Sequence, residues 1–555
     1  MRHFTLSILL FLTAIAARAQ QQQSERMFIL GGELSNSAAT STADIDEVMP
    51  RMRALGLNTV LVPAYWEFLE PQEGHFDYTL IDRTIEQARQ NGLKVVFLWF
   101  GAWKNSMSCY APLWFKQDTR RFPRAQTAEG KPLEIASCFS TEVLRTDQRA
   151  FEMLIRRIAE RGQDVVTMVQ VENEIGMLED ARDHAPLAEK EYKKGVPTEL
   201  VHYLQSNAAT LHPWLQARLQ RGALAKKHPA WTAVFGDDLY TDEIFMAYSY
   251  ARYVEQLCQT ARRHTQLPLY VNAAMNSRGR RPGQYPSAGP LAHLIDLWHA
   301  GAPTLAMLSP DIYDTGFKGW AAQYALPNNR LFIPESRCCL NSGVRSLYAF
   351  GEHHALGFSP FAIDQASSAE TASVTAAYGL LRQLEPYVSR GDVASWGLLF
   401  DQQDKERIIT DGDLVLTARH NFTLPWDPRA TDGSEWPEGG GIIVRLQPNE
   451  YLIAGSGLVV SFATRTEKQQ EQQRTLGEDG FVAVGDTLHN TPSTIHHPAF
   501  KGKRAGIGFV DQVRIGSDGQ LQFVRRDNGD QDHQGRHARI GVGEWKILHV
   551  KLYEY

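Results

Sequence analysis

From Met27 onward a strand–loop–helix unit repeats, and few folds are open to a chain built this way. The first apolar run, Met27 to Gly32, ends in Glu33. Ser41, with Asp44 three positions on, resembles a capping box. Ile45, Val48, Met49, Met52 and Leu55 then continue at helical spacing up to Gly56, and Pro50 inside that pattern predicts a kink. Asn58 to Val62 reads as the second strand. A helix with Leu80, Ile81, Thr84, Ile85 and Ala88 on one face follows and closes at Gly92. Lys94 to Trp99 is the third strand, followed by a long loop rich in Trp, Tyr, Pro and Cys and a helix from Thr146 to Arg161. Neighbouring strands with a helix between them are parallel, since antiparallel neighbours need only a hairpin.

The fourth strand opens the stretch Val165 to Gly176, VVTMVQVENEIG. Its continuous apolar run is that of a strand buried on both faces, and it leads to two carboxylates separated by Asn173. After an insertion with a helix from about Thr241 to His264, further strands are read at Leu269 to Asn272, Leu305 to Leu308, Arg330 to Pro334 and Gly357 to Phe361. Eight strands alternating with helices predict an α/β (β/α)8 TIM barrel with insertions over residues 25–370. The rival is an open doubly wound sheet, but no Gly-x-Gly-x-x-Gly turn follows any strand. Past a helix near Glu370 to Leu384, short β-rich runs at Gly441 to Leu446, Tyr451 to Ala454, Gly457 to Phe462, Phe509 to Ile515 and Trp545 to Leu552 predict a C-terminal β-sandwich-type domain over residues 385–555. Thr464 to Arg474 reads as a solvated surface segment.

Arg2 and His3, the apolar run Leu6 to Ile15 and the small-x-small site Ala17-Arg18-Ala19 read as a signal peptide over residues 1–19. The run is too short to span a bilayer. The expectation is an exported protein, periplasmic or secreted, without a membrane anchor. A net charge of −6 with no basic run excludes nucleic acid as a natural partner. Five cysteines make no disulfide framework for 555 residues, although Cys109 and Cys138 flank one long loop and an exported protein could pair them. No Cys-x-x-Cys or His-x-x-x-His spacing suggests a structural metal, and no cofactor is expected.

In a barrel of this type the chemistry sits at the C-terminal ends of the strands. Those ends supply Glu33; Tyr65, Trp66 and Glu67; Trp103 and Asn105; Asn173 and Glu174; Asn272 and Asn276; Asp311 and Tyr313; Glu335 and Arg337. A rim of acids, amides and aromatics suits a neutral polyhydroxylated ligand better than a phosphate. Two facing carboxyls perform retaining glycoside hydrolysis when one holds a proton near neutrality and the other stays ionised.

With these residues in place, the chain resembles clan A of the glycoside hydrolases, and in detail glycoside hydrolase family 35, the β-galactosidase family. VQVENEIG is close to that family's acid/base motif. Trp66 to Pro71 with Gly74, Phe76 and Asp77 is similar to its signature after strand two, and Gly32-Glu33-Leu34 to its strand-one end. The resemblance implies Glu174 as acid/base, Glu335 in Pro334-Glu335-Ser336 as nucleophile, Asn173 as partner of the sugar 2-hydroxyl and Tyr313 as the residue that orients the nucleophile. The chain departs from the family after strand three, reading Phe100-Gly101-Ala102-Trp103 where Cys-Ala-Glu-Trp is usual. The glutamate missing there contacts the sugar, which leaves galactose specificity less secure than hydrolysis.

The expectation is an exo-acting β-galactosidase on plant-cell-wall oligosaccharides such as those of xyloglucan. Another clan A β-glycosidase, or a non-catalytic carbohydrate-binding barrel, stays open. Glu33 and Glu67 are candidates either for sugar binding or for fixing loops. Trp103, Trp66 and Tyr65 read as stacking or rim groups or as core, and Asn105 as a rim amide. Glu172 is expected one layer below Glu174, as support. The C-terminal domain reads as a scaffold or as a carbohydrate-binding module.

Overall fold

The computed structural model describes residues 28–275, 279–389, 392–470 and 500–555. The signal-peptide reading and Asn276 lie outside them. The chain divides into two compact units, one formed by residues up to 338 with 356–366, the other by residues 339–355 with 367–555.

The first unit is a closed barrel of eight parallel strands: β1 (Ile29–Glu33), β2 (Thr59–Tyr65), β3 (Lys94–Phe100), β4 (Val166–Gln170), β5 (Leu269–Ala274), β6 (Met307–Ile312), β7 (Phe332–Ser336) and β8 (Gly357–Pro360). Each strand pairs with its neighbours in sequence order, and β1 with β8 closes the ring. Every residue of β1, β2, β6, β7 and β8 is buried, which is why these strands read as continuous apolar runs. Among the crossover helices, α1 (Thr42–Ala54) runs through Pro50, whose ring stands on the exposed side. α2 (Thr79–Gln90) follows β2. α3 (Thr141–Arg161) begins five residues before the Thr146 expected from spacing, because Ser140 caps the Val143 N–H. α4 (Leu239–Ala261) is capped by Asp238.

The second unit contains α5 (Ser342–His353), α6 (Ser368–Val388) and two antiparallel sheets. Ten strands make them up: β9 (Ser395–Phe400), β10 (Glu406–Asp411), β11 (Leu414–His420), β12 (Gly439–Gln447), β13 (Glu450–Ser456), β14 (Leu458–Thr464), β15 (Ala505–Ile515), β16 (Leu521–Arg526), β17 (Ala538–Ile540) and β18 (Lys546–Glu554). The six-stranded sheet has the order β9-β12-β13-β18-β15-β16 and the four-stranded sheet β10-β11-β14-β17. One apolar core draws on both, including Leu398, Ile453 and Leu548 from the first and Leu416, Val460 and Ile540 from the second, as in a β-sandwich. α5 packs on β9 and β12, where Gly351 lies close to Ile442 and Gly397. All five cysteines are free thiols, so Cys109 and Cys138 are not joined. Among the described residues no helix is long and apolar enough to cross a membrane.

Candidate active site

β4 ends at Gln170, and the chain beyond it does not stay extended. Glu172 (φ 59°) and Glu174 (φ 45°) are both left-handed, a conformation that costs about 1–3 kcal/mol in a residue with a side chain and persists where the surroundings enforce it. Strand alternation therefore does not aim these two acids. The loop after β3 does.

In that loop Lys104 and Met107 exchange both backbone hydrogen bonds, at 2.8 and 3.0 Å. Asn105 and Ser106 between them have φ 52° and 58°, which makes a two-residue hairpin turn of the I′ kind. One arm of the turn runs beside Asn173. The Asn105 N–H donates to the Asn173 carbonyl and the Asn173 N–H to the Trp103 carbonyl, each at 3.3 Å.

Trp103 and Asn105, two residues apart along this arm, each serve an acid. The Trp103 N–H donates to Glu172 Oε2 at 2.8 Å, and the Asn105 side-chain amide donates to Glu174 Oε2. Lys104 is only 4% exposed, and its Nζ stands 5.0 Å from the Phe100 ring centroid. Burial alone would push the ammonium down. Glu335, Glu174, Glu33 and Asp311 together outweigh burial and hold it above the ordinary lysine range.

Glu174 is buried, and its N–H donates to Asn272 Oδ1 at 2.9 Å, whose Nδ2 in turn donates to Asp311 Oδ2 at 2.7 Å. One carboxylate oxygen each of Glu174, Asp311 and Glu335 lies within 4.8 Å of the others. Burial first, then Glu335, pushes Glu174 up to about 7, against the lowering effect of Lys104, Asp311 and Asn105. Asp311 is held well above the usual carboxylate range by burial, then by Glu335, Glu174 and Glu33. Glu33, at the end of β1, is raised in the same way by burial and then Glu335. The Tyr313 hydroxyl donates to Glu335 Oε1 from the exposed rim. Asn173 is fully buried with neither side-chain atom hydrogen-bonded within the chain. By spacing alone the three oxygens could take a divalent cation.

Glu172 lies behind this cluster, fully buried. Its carboxyl meets that of Asp147 on α3, and burial and then this neighbour raise it well above the ordinary range. Asp147 accepts from Trp99 Nε1 at 2.9 Å and from the Tyr253 hydroxyl at 2.7 Å. A Cβ on Gly101 would come within 2.8 Å of Glu172 Oε1, so a glycine there leaves the pair its room.

Of the residues singled out by sequence, the structure brings Glu174, Glu335, Asn173, Tyr313, Glu33 and Asn105 together. Three others stand elsewhere. Trp103 is fully buried, edge-on to Tyr253 and Tyr250 at 4.7 and 5.6 Å, which makes it core and not a sugar platform. The Tyr65 hydroxyl is committed to the Asn36 carbonyl at 2.7 Å. Its ring lines a separate cavity of about 320 Å³ with Phe68, Leu69 and Asp77, outside the carboxylate cluster. Glu67 is half-buried beside Lys116 and Tyr110, and it is its backbone N–H that is tied to the Tyr110 carbonyl. Sequence reasoning passed over Lys104 and Asp147. Asp147 did leave a signal, because it shares the buried stripe of α3 with Ala150, Phe151 and Leu154.

A family model described as β-galactosidase, that of glycoside hydrolase family 42, matches residues 37–243. A second, described as a domain of unknown function (DUF5597), matches residues 374–539. A β-galactosidase of Thermus thermophilus is 25% identical over 199 residues, 34% of this chain and 26% of that protein; the chain thus spans about a quarter of the curated relative it matches. Among solved structures, a family 42 β-galactosidase from G. stearothermophilus is similar at TM-score 0.47 and 16% identity, covering 65% of this chain and 57% of that one. The β-galactosidase of the psychrophilic Marinomonas ef1 gives 0.44 and 16%, covering 64% and 60%. The matching model is thus that of family 42. Family 35, which the motifs resemble, is not supported.

Proposed function

We propose that this protein is a retaining exo-β-glycosidase, and in the first instance a β-galactosidase. The observation that carries the reading is the Glu174–Glu335 pair. Their oxygens approach within 4.8 Å, which belongs with carboxyls about 5–5.5 Å apart in retaining enzymes and not with the roughly 6.5–9.5 Å of inverting ones. Glu174, up at about 7, carries the proton as general acid. Glu335, with the Tyr313 hydroxyl on one oxygen, attacks the anomeric carbon from the opposite face. The leaving oxygen takes the proton of Glu174, and a glycosyl ester forms on Glu335. Glu174, now a base, draws a proton from water, which releases the sugar with its configuration retained. Asn173, buried with both amide atoms free of partners, suits a sugar hydroxyl.

The β-galactosidase descriptions of the matching model and relative support the choice of sugar. The substrate we propose is a plant-cell-wall oligosaccharide, reached after export by cleavage at Ala19, a reading that the leader supports. A panel of aryl β-glycosides tests the sugar, with the β-galactoside expected to turn over fastest. Azide should rescue Glu335→Gly with inverted product and Glu174→Ala with retained product. A wild-type protein inert on the whole panel would sink the enzymatic reading in favour of a binding barrel.

A further inference from the structure

A retaining glycosidase asks two opposite things of its acid/base. Glu174 must give up a proton as the leaving group departs, and as a carboxylate it must then take one from water. One of its two oxygens suffices for that traffic. The other, Oε2, accepts the side-chain amide of Asn105. An amide N–H bonds a carboxylate more strongly than a neutral carboxylic acid. The contact therefore favours the ionised form of Glu174 and leaves the proton to Oε1. Burial and then Glu335 act to keep Glu174 protonated, and Lys104, Asp311 and Asn105 act against them.

The backbone fixes Asn105 where it can do this. It occupies the first corner of the turn between Lys104 and Met107, at φ 52°, with Ser106 behind it at φ 58°. Asparagine is among the few residues with a side chain that enter this left-handed region readily. Its N–H donates to the carbonyl of Asn173, the residue before Glu174, at 3.3 Å. Asn105 thus reaches the acid and its neighbour at once, through side chain and backbone. The Glu174 N–H in turn donates to Asn272 Oδ1 at 2.9 Å, which ties the acid's own backbone to β5.

We propose that Asn105 is a positioning residue for the second half of the reaction, its amide holding Oε2 of Glu174 so that Oε1 faces the incoming water as a base. This rests on the glycosidase reading. In that half, water adds to the anomeric carbon while the ester bond to Glu335 breaks. The bonding pair returns to Glu335, and the proton of the water passes to Glu174. Loss of the amide slows this release more than it slows the transfer of the sugar onto Glu335.

The test compares wild type, Asn105→Gly and Asn105→Asp on an aryl β-galactoside whose dinitrophenolate departs without a proton. Glycine and aspartate both tolerate the left-handed backbone, and residue 105 is exposed, so the fold is expected to persist, checked by thermal melts. In stopped flow the initial burst of dinitrophenolate should keep its rate. The steady rate after it, and with it kcat, should fall about 10–100-fold, the loss of one hydrogen bond to a charged group. KM should fall in step, leaving kcat/KM as in wild type. Aspartate, similar in shape but without the donor, should lose at least as much as glycine. Burst and steady rates that fall together would mark a structural role and overturn the proposal, as would rates that both stay put. Failure of both variants to fold also overturns it, by assigning Asn105 to the turn. A wild type inert on all β-glycosides counts against the glycosidase reading itself, whereas an active wild type with an unmoved partition in the variants counts against Asn105 alone.

Discussion

At the scale of single residues, each acid in the site differs from its neighbours in what surrounds it. Glu174 is up at about 7 through burial and Glu335, so a general acid there is lost as pH rises past that value. The alkaline limb of kcat/KM is expected near pH 7 in wild type on a substrate whose leaving group must be protonated, and to disappear, for wild type and Glu174→Gln alike, on an activated aryl glycoside whose leaving group departs unaided. Tyr313 donates to Glu335, and a hydrogen bond to a charged group is worth about 1.5–3 kcal/mol. Tyr313→Phe should therefore lower kcat/KM about 10–100-fold, and an unchanged rate would show that this bond does not serve the reaction. Glu174 and Glu335 could be picked out in the sequence because strand ends in a barrel converge. Lys104 could not. A lysine in a loop reads as solvated, and only the turn that folds it inward makes it buried. The Asn105-Ser106 pair between Trp103 and Met107 was the available sign of that turn.

At the scale of elements, the unit behind the site is α3 with the β3 and β4 loops, joined through the Glu172–Asp147 pair. Both carboxyls have folded pKa values raised above the unfolded ones, by burial first. Here the folded state binds protons that the unfolded state has released. The stability they contribute is complete below the unfolded values, near pH 4, and declines as pH rises toward the folded ones. Glu33, Asp311 and Glu174 share this sign, so the pair's own part is read by difference. Asp147→Asn should lower stability by about 1–3 kcal/mol through imperfect pairing with Trp99, Tyr253 and Glu172, yet show a shallower fall in Tm from pH 4 to pH 8. An unchanged slope would mean that the two acids do not share a proton. Strand alternation would also have buried Glu172, but for the wrong reason. The chain leaves the strand at Gln170, and left-handed residues at 172 and 174 do the aiming, which hydrophobic periodicity does not encode.

At the scale of the whole molecule, β10 and β16 were not singled out in the sequence because charged residues dilute their alternation, as in the exposed β16. Neither the helix α5 nor its allegiance was singled out in the sequence: it lies between barrel strands β7 and β8 in the chain and packs on β9 and β12. A chain ending at residue 384 keeps all eight barrel strands yet strips α5 of the strands that cover it. Such a truncation should aggregate on expression, and recovery of a soluble, cooperatively melting product would contradict that. Leu416→Ala, in the core between the two sheets, should cost about 2–5 kcal/mol, read by chemical denaturation.

That interleaving also sets a timetable. The ribosome makes α5 well before it finishes β12, some 90 residues further on, and at about 5–20 residues per second the gap lasts roughly 5–20 s. Through that interval the barrel has all its strands, while a helix between its last two still waits for the sheet it belongs to. Until β12 has been made, the nascent chain therefore carries a defined apolar helix face that a chaperone can hold.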